Sequence, residues 1–331
     1  MAKLLHVSSS PHDRSPVTTR SLMRDVIISL LPATLWGIYR FGFRAFMIIL
    51  ISITTAVVTE YAYIKLFKLK PHPFEASAVV TGLLLALNLP VSVPYWIPIL
   101  GSVFAIVVVK MLYGGLGYNF MNPALGARCF LVISFAGIMT NFNVEKGNVF
   151  VNGASGIDGI SGATPLAVVK GGELANASLF DMFFGLTAGT IGEVSAFLLI
   201  LGGLYLIIKK VISPIIPFTY IITLVIFVVI FGGHGFDVDY IAKEIFGGGL
   251  MLGAFFMATD YVTSPVTTKG RFIFAVILGL LTGLFRIYGN SAEGVSYAII
   301  FTNILVPLIE KFSMPKAFGT GKRAYKRAAG N

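Results

Sequence analysis

The residues best suited to do chemistry lie in Asp158-Gly-Ile-Ser161-Gly162-Ala163-Thr164-Pro-Leu. Thr164 follows three small residues, so a bulky phosphate can approach its hydroxyl and the neighbouring backbone closely. Backbone N–H groups in such a Gly-rich loop can face phosphate oxygens. The competing reading is a plain turn, because Gly153, Gly156, Gly159 and Gly162 all mark irregular backbone.

A second set of candidates is ionisable groups inside apolar runs: Glu60, Glu193, Asp260 and Arg286. Such groups are costly in a bilayer and face a cavity or a partner. Glu60 falls near a membrane interface, where reaching out to water makes its charge cheap. Glu193 follows Gly189-Thr-Ile-Gly192 and precedes Lys209 by a helical rise of about 24 Å. Asp260 closes a short apolar segment. Glu193 and Asp260 could pass a cation; either could equally cap a helix end. Asn122-Pro-Ala resembles one half of a water-channel signature, but that architecture needs two such boxes and only one is present.

The constellations of soluble enzymes are missing. His6, His12, His72 and His234 are scattered without metal-ligand spacing. No Gly-Lys-[Ser/Thr] phosphate loop occurs. Gly-x-Ser-x-Gly is also missing, so Ser161 is not a nucleophile elbow. A single cysteine, Cys129, leaves no internal disulfide or thiolate-only cluster. No catalytic side chain and no metal site is expected, so any reaction must come from a cofactor or a neighbouring subunit.

The elements that position these residues are membrane helices. Charged residues are 12% of the chain and apolar ones 56%, which with recurring long apolar runs predicts an all-α polytopic membrane protein. Ten spans are expected, near 24–40, 44–64, 76–89, 95–113, 127–140, 183–208, 214–232, 247–259, 271–288 and 295–310. Residues 1–23 form a polar N-terminal segment without a cleavable signal, 24–310 the transmembrane domain, and 311–331 a basic tail. With both termini in the cytoplasm, 19 of the 25 Lys and Arg residues fall on the inner side. The net charge of +10 therefore reflects membrane topology, and no nucleic-acid partner is expected. The same orientation puts the one long loop, 141–182, and Thr164 in the periplasm or cell exterior.

The chain also repeats. Gly82-Leu-Leu-Leu-Ala-Leu-Asn88 with Pro90 and Pro94 resembles Gly253-Ala-Phe-Phe-Met-Ala-Thr-Asp260 with Pro265, at an offset of 171 residues. Five spans, an odd number, separate the two, so two inverted five-helix repeats are expected. Short, Pro-interrupted segments at matching positions point to a site between the halves.

Taken together, these segments resemble the D subunit of the Rnf ion-translocating oxidoreductase. A close relative is the B subunit of the sodium-translocating NADH:quinone reductase. The resemblance spans the chain and rests on Asp158-Gly-Ile-Ser-Gly-Ala-Thr164-Pro-Leu, Asn122-Pro-Ala…Arg128, Gly189-Thr-Ile-Gly-Glu193, Phe256-Met-Ala-Thr-Asp260 and Arg286…Glu293-Gly-Val-Ser-Tyr-Ala298. Val194 departs from the Thr expected after Gly-Glu. The length of 331 residues suits the Rnf protein better than its quinone reductase relative, which has a longer N-terminal region.

The resemblance implies that a flavin transferase joins FMN to Thr164 by a phosphoester, with Asp158, Ser161, Gly162 and Ala163 as its recognition sequence. It implies a subunit of a Na⁺ or H⁺ pump in a bacterial or archaeal cytoplasmic membrane. Electrons from reduced ferredoxin or NADH would arrive through partner iron–sulfur and flavin subunits. A second, non-covalent flavin would have a place at the central site. The alternatives are a component like the B subunit of the sodium-translocating NADH:quinone reductase, an inverted-repeat transporter or channel without redox cofactor, and a structural anchor for catalytic partners.

Overall fold

The computed structural model describes residues 17–69, 76–142, 166, 170, 178–187, 189–193, 195–289 and 294–315. Asp158, Ser161, Gly162, Ala163 and Thr164 lie outside the described residues. Among those described, every regular element is a helix, and one isolated antiparallel bridge joins Pro90 to Thr190.

Helix α1 (Thr19–Phe41) opens with Thr18, which accepts from the Ser21 N–H while Ser21 Oγ answers the Thr18 N–H, a capping box. It stops at Gly42, whose φ of 75° lets the chain turn directly into α2 (Phe43–Leu66). Then come α3 (Ser77–Leu87), α4 (Trp96–Tyr113), α5 (Pro123–Ser134) and the single turns α6 (Ala136–Met139) and α7 (Leu179–Phe184). The second half holds α8 (Ala196–Ile208), α9 (Ile215–Phe231), α10 (Val238–Phe246), α11 (Leu250–Met257), α12 (Thr268–Tyr288) and α13 (Val295–Ser313). In α4 the stretch Ala105–Lys110 is a π turn, and so is Gly253–Met257 in α11.

Five helices (α1, α2, α4, α12 and α13) are long and apolar enough to cross a bilayer; counting α10 and α11, bent by 60°, as one span makes six. The remaining expected spans correspond to four shorter apolar helices, α3, α5, α8 and α9. Contrary to its hydropathy, the run 183–208 is not one helix. α7 gives way at Gly185 (φ 90°), and α8 begins only after Ser195, whose hydroxyl accepts from the Leu198 N–H. Gly185, Gly189 and Gly192 interrupt the run, so Glu193 stands in a non-helical segment.

Small residues set the helix crossings, as they do where packing rather than water drives association. On α3, a Cβ at Gly82 would come within 2.8 Å of the α2 backbone. Ser52 seals that seam, donating to the Gly82 carbonyl at 2.8 Å and meeting Ser102 of α4 at 3.0 Å. On α8, Gly202 sits against the Ser29 carbonyl of α1 and Gly203 against the Phe255 ring of α11. Gly279 and Gly283 of α12 receive Thr223 and Phe227 of α9.

Candidate functional site: a buried polar junction between two broken helices

α3 and α11 both stop in the protein interior, and their C-terminal ends meet. Asn88, the residue after α3, points its amide nitrogen at Met257 Sδ at 3.8 Å, and Met257 is the last residue of α11. A helix that ends in an apolar interior leaves carbonyls without partners, which is costly unless other groups supply donors. Here they are supplied from elsewhere in the chain. The turn leading into Glu193 lies beside the α3 end, with Ile191 N–H donating to the Leu89 carbonyl at 3.0 Å and Gly192 N–H to that of Leu87 at 2.7 Å. Asn88 Nδ2 turns back to the Leu84 carbonyl at 2.7 Å. At the α11 end, Asn122 Nδ2 donates to the Met257 carbonyl at 3.4 Å and Thr259 Oγ1 bonds the Phe255 carbonyl at 2.6 Å.

Arg128 on α5 ties these pieces together. Its Nη1 donates to Asn88 Oδ1 at 3.0 Å and to Ser296 Oγ, at the start of α13, at 2.8 Å. Its Nη2 stands 3.7 Å from Glu193 Oε1, and both side chains are 7% exposed. As a whole residue Arg128 is 5% exposed and lies inside the protein, in an ion pair that joins the first half of the chain to the second. The Glu193 carboxylate also abuts Gly249, at the start of α11, where an added Cβ would fall 2.4 Å from Oε1. A side chain is excluded there twice over, since Gly249 has φ 68°.

Asp260 is not brought to this junction. It lies three residues beyond the end of α11, where its carboxylate accepts from Thr263 Oγ1 at 3.2 Å and the Val262 N–H at 3.5 Å. Glu193 abuts Gly249 at the start of α11, whereas Asp260 follows its end. Asp260 lines a small cavity of about 80 Å³, whose wall also holds Thr81, Lys110, Asn119, Phe256 and Tyr261. Lys110, 1% exposed, is held there by Glu60 Oε1 at 2.8 Å and Ser77 Oγ at 2.8 Å. Glu60 is thus half of an ion pair and not merely a carboxylate reaching for water.

Asn122, the channel-like candidate, has its side chain fully engaged in the fold. It N-caps α5, accepting from the Ala124 and Leu125 N–H groups, and its amide nitrogen is engaged at α11. Arg286 on α12 pairs with Glu244 of α10 at 3.0 Å and bonds the Glu244, Gly247 and Gly248 carbonyls. Those are the open carbonyls at the α10–α11 bend. Among the described residues no group of three His, Cys, Asp or Glu side chains is placed to hold a metal. Sequence reasoning found Glu193 but missed Asn88 and Ser296. The usable signal was an Asn immediately after a Pro-terminated short helix.

Broken apolar helices that close their backbone inside the protein, around a buried ion pair, define a polytopic helical membrane protein with a polar core. A model of the NQR2, RnfD, RnfE family matches residues 6–319, and the chain belongs to that family. It is 46% identical over 321 residues, 96% of each chain, to the D subunit of the Na⁺-translocating ferredoxin:NAD⁺ oxidoreductase complex of Acetobacterium woodii. The D subunit of the proton-translocating ferredoxin:NAD⁺ oxidoreductase complex of Clostridium ljungdahlii is 41% identical over 327 residues, covering 95% of this chain and 96% of its own. The D subunit of an ion-translocating oxidoreductase complex from Actinobacillus succinogenes is 37% identical over 353 residues, 96% of this chain and 99% of its own.

Proposed function

We propose that this chain is the D subunit of an ion-translocating ferredoxin:NAD⁺ oxidoreductase complex and carries FMN as a phosphoester on Thr164. The observation that carries the reading is similarity over nearly the whole length of relatives that bear that name. FMN, when bound, supplies exchange between one-electron and two-electron carriers. A tether through the Thr164 hydroxyl keeps the cofactor from being lost to the medium. Leu166 and Lys170, beyond the motif, supply a foothold for it. Leu166 is 2% exposed against Gly247 and Gly248, and Lys170 donates to the Gly289 carbonyl at the end of α12.

The rest of the chain holds and insulates. Arg128, Asn88, Ser296 and Glu193 lock the halves together around the α3 and α11 ends. We assign Asp260, on the cavity beside Lys110, to the cytoplasmic part of a Na⁺ or H⁺ route, and Glu193 to its outer part. We further assign ten spans in two inverted five-helix repeats, termini in the cytoplasm. The support is the recurrence of bounds near the 171-residue offset: α2 with α9, α3 with α11, α4 with α12 and α5 with α13. The contact pattern recurs too, α2 packing on α3 and α4 as α9 does on α11 and α12.

The test is in-gel flavin fluorescence of the denatured chain, co-expressed with a flavin transferase. A fluorescent band that vanishes in Thr164→Val is the expected result. A wild-type band without fluorescence refutes the FMN assignment.

A further inference from the structure

The bend between α10 and α11 is three glycines, Gly247-Gly248-Gly249, and two groups lie against it. Gly249 backs onto the Glu193 carboxylate, while Gly247 and Gly248 receive Leu166. A Cβ built on Gly247 would lie 3.5 Å from Leu166 Cβ, and one on Gly248 would lie 2.3 Å from Leu166 Cδ2. Gly248 has φ 65°, so shape and backbone both demand glycine. The turn is held rigid by Arg286, whose guanidinium occupies the carbonyls of Glu244, Gly247 and Gly248 while pairing with the Glu244 carboxylate. Lys170, four residues past Leu166, fastens to Gly289 on the helix that carries Arg286.

We propose that Leu166, plugged into the Gly247–Gly248 turn and held there by the Arg286 cage, is the positioning residue for the group carried on Thr164. The inference rests on the reading of Thr164 as the FMN attachment point. Two peptide links separate Thr164 from Leu166, so the attachment point stands within about 7.6 Å of the seat, at 3.8 Å per link. The same glycine turn meets Leu166 at Gly247 and Gly248 and the Glu193 carboxylate at Gly249. Leu166 touches neither cofactor nor substrate; it acts by fixing where the tether starts.

Two measurements on the assembled complex test this. In a Leu166→Cys/Gly247→Cys variant the two Cβ atoms sit within disulfide range, and a mild oxidant should convert the thiol pair to an intrachain disulfide. Mass spectrometry of the chain reads the loss of two hydrogens without reference to flavin. Separately, Leu166→Ala and Gly248→Ala should retain covalent flavin in the gel. Their Thr164-dependent flavin signal, isolated by difference against Thr164→Val, should be reduced more slowly by on the order of 10²-fold, the scale of an ångström-sized misplacement. Leu166→Met, which conserves volume, should restore the wild-type rate. A cysteine pair that stays reduced, or Gly248→Ala with full flavin and a wild-type rate, overturns the seat while leaving the FMN reading intact. A wild-type chain without covalent flavin overturns both.

Discussion

The backbone N–H of Gly192 donates to the carbonyl of Leu87 across 2.7 Å, joining residues from the two halves of the chain at the point where α3 ends. A Cβ at position 192 would lie 2.6 Å from the Leu87 Cβ and 2.9 Å from its carbonyl oxygen. Gly192→Ala should therefore cost about 1–3 kcal/mol, the scale of an overpacked core. Gly189→Ala is the control, because its nearest neighbour would be Glu193 Oε2 at an ordinary 3.7 Å. Thermal unfolding in detergent compares them; equal melting temperatures would show that the crossing is looser than these distances imply.

The Arg128–Glu193 pair is buried on both sides, so its two single variants should behave unlike its double variant. Arg128→Met leaves a carboxylate without its cation and strips Asn88 and Ser296 of a donor. A loss of about 3–5 kcal/mol is expected. Adding Glu193→Gln removes the stranded charge and should recover part of it. Additive losses in a double-mutant cycle would mean that the two groups are not coupled.

Lys110 and Glu60 form an asymmetric pair, with side-chain exposures of 2% and 22%. Glu60→Leu strands a buried ammonium with Ser77 as its remaining partner, whereas Lys110→Met leaves a carboxylate that reaches the surface. The first should destabilise more than the second. The reverse order in thermal melts would contradict the burial described for Lys110.

Gly202 and Gly203 meet unequal obstacles. A Cβ at 202 would fall 2.3 Å from the Ser29 carbonyl oxygen, which belongs to the α1 backbone. One at 203 would meet the Phe255 ring at 2.3 Å, and a ring can rotate or be shortened. Gly203→Ala should be rescued in part by Phe255→Leu. Gly202→Ala should resist any single rescue, as read by the yield of folded protein after purification.

Much of this architecture was written plainly in the chain. Apolar runs and the Pro90, Pro94 and Pro265 stops gave the helices and marked α3 and α11 as short, because hydropathy and helix breakers act locally. The Glu193 environment was not legible. Gly185, Gly189 and Gly192 inside an apolar run look like helix-packing glycines, and only the fold reveals that they let the segment lie beside the end of α3. The partners of Lys110 and Arg128 were not legible for a related reason. Charge counting sees a cation near the end of a span but not the Glu60 or Glu193 carboxylate that draws it inward. Thr164 stood out in sequence through its neighbours, yet the seat of Leu166, two residues on, depends on Gly248, remote along the chain.

The pairing of Gly192 with Leu87 also carries a consequence for biogenesis. Residue 192 leaves the ribosome roughly a hundred residues after Leu87, which at about 5–20 residues per second is on the order of 5–20 s. By the end of that interval α1 to α5 have been made, but the carbonyls of Leu87 and Leu89 have not met the donors that close them. The first half must therefore wait in the bilayer with an open polar centre, shielded by water, lipid headgroups or an insertion factor. Truncation after α5 should leave a product that is inserted yet short-lived, because the second half of the chain brings the backbone that seals the first.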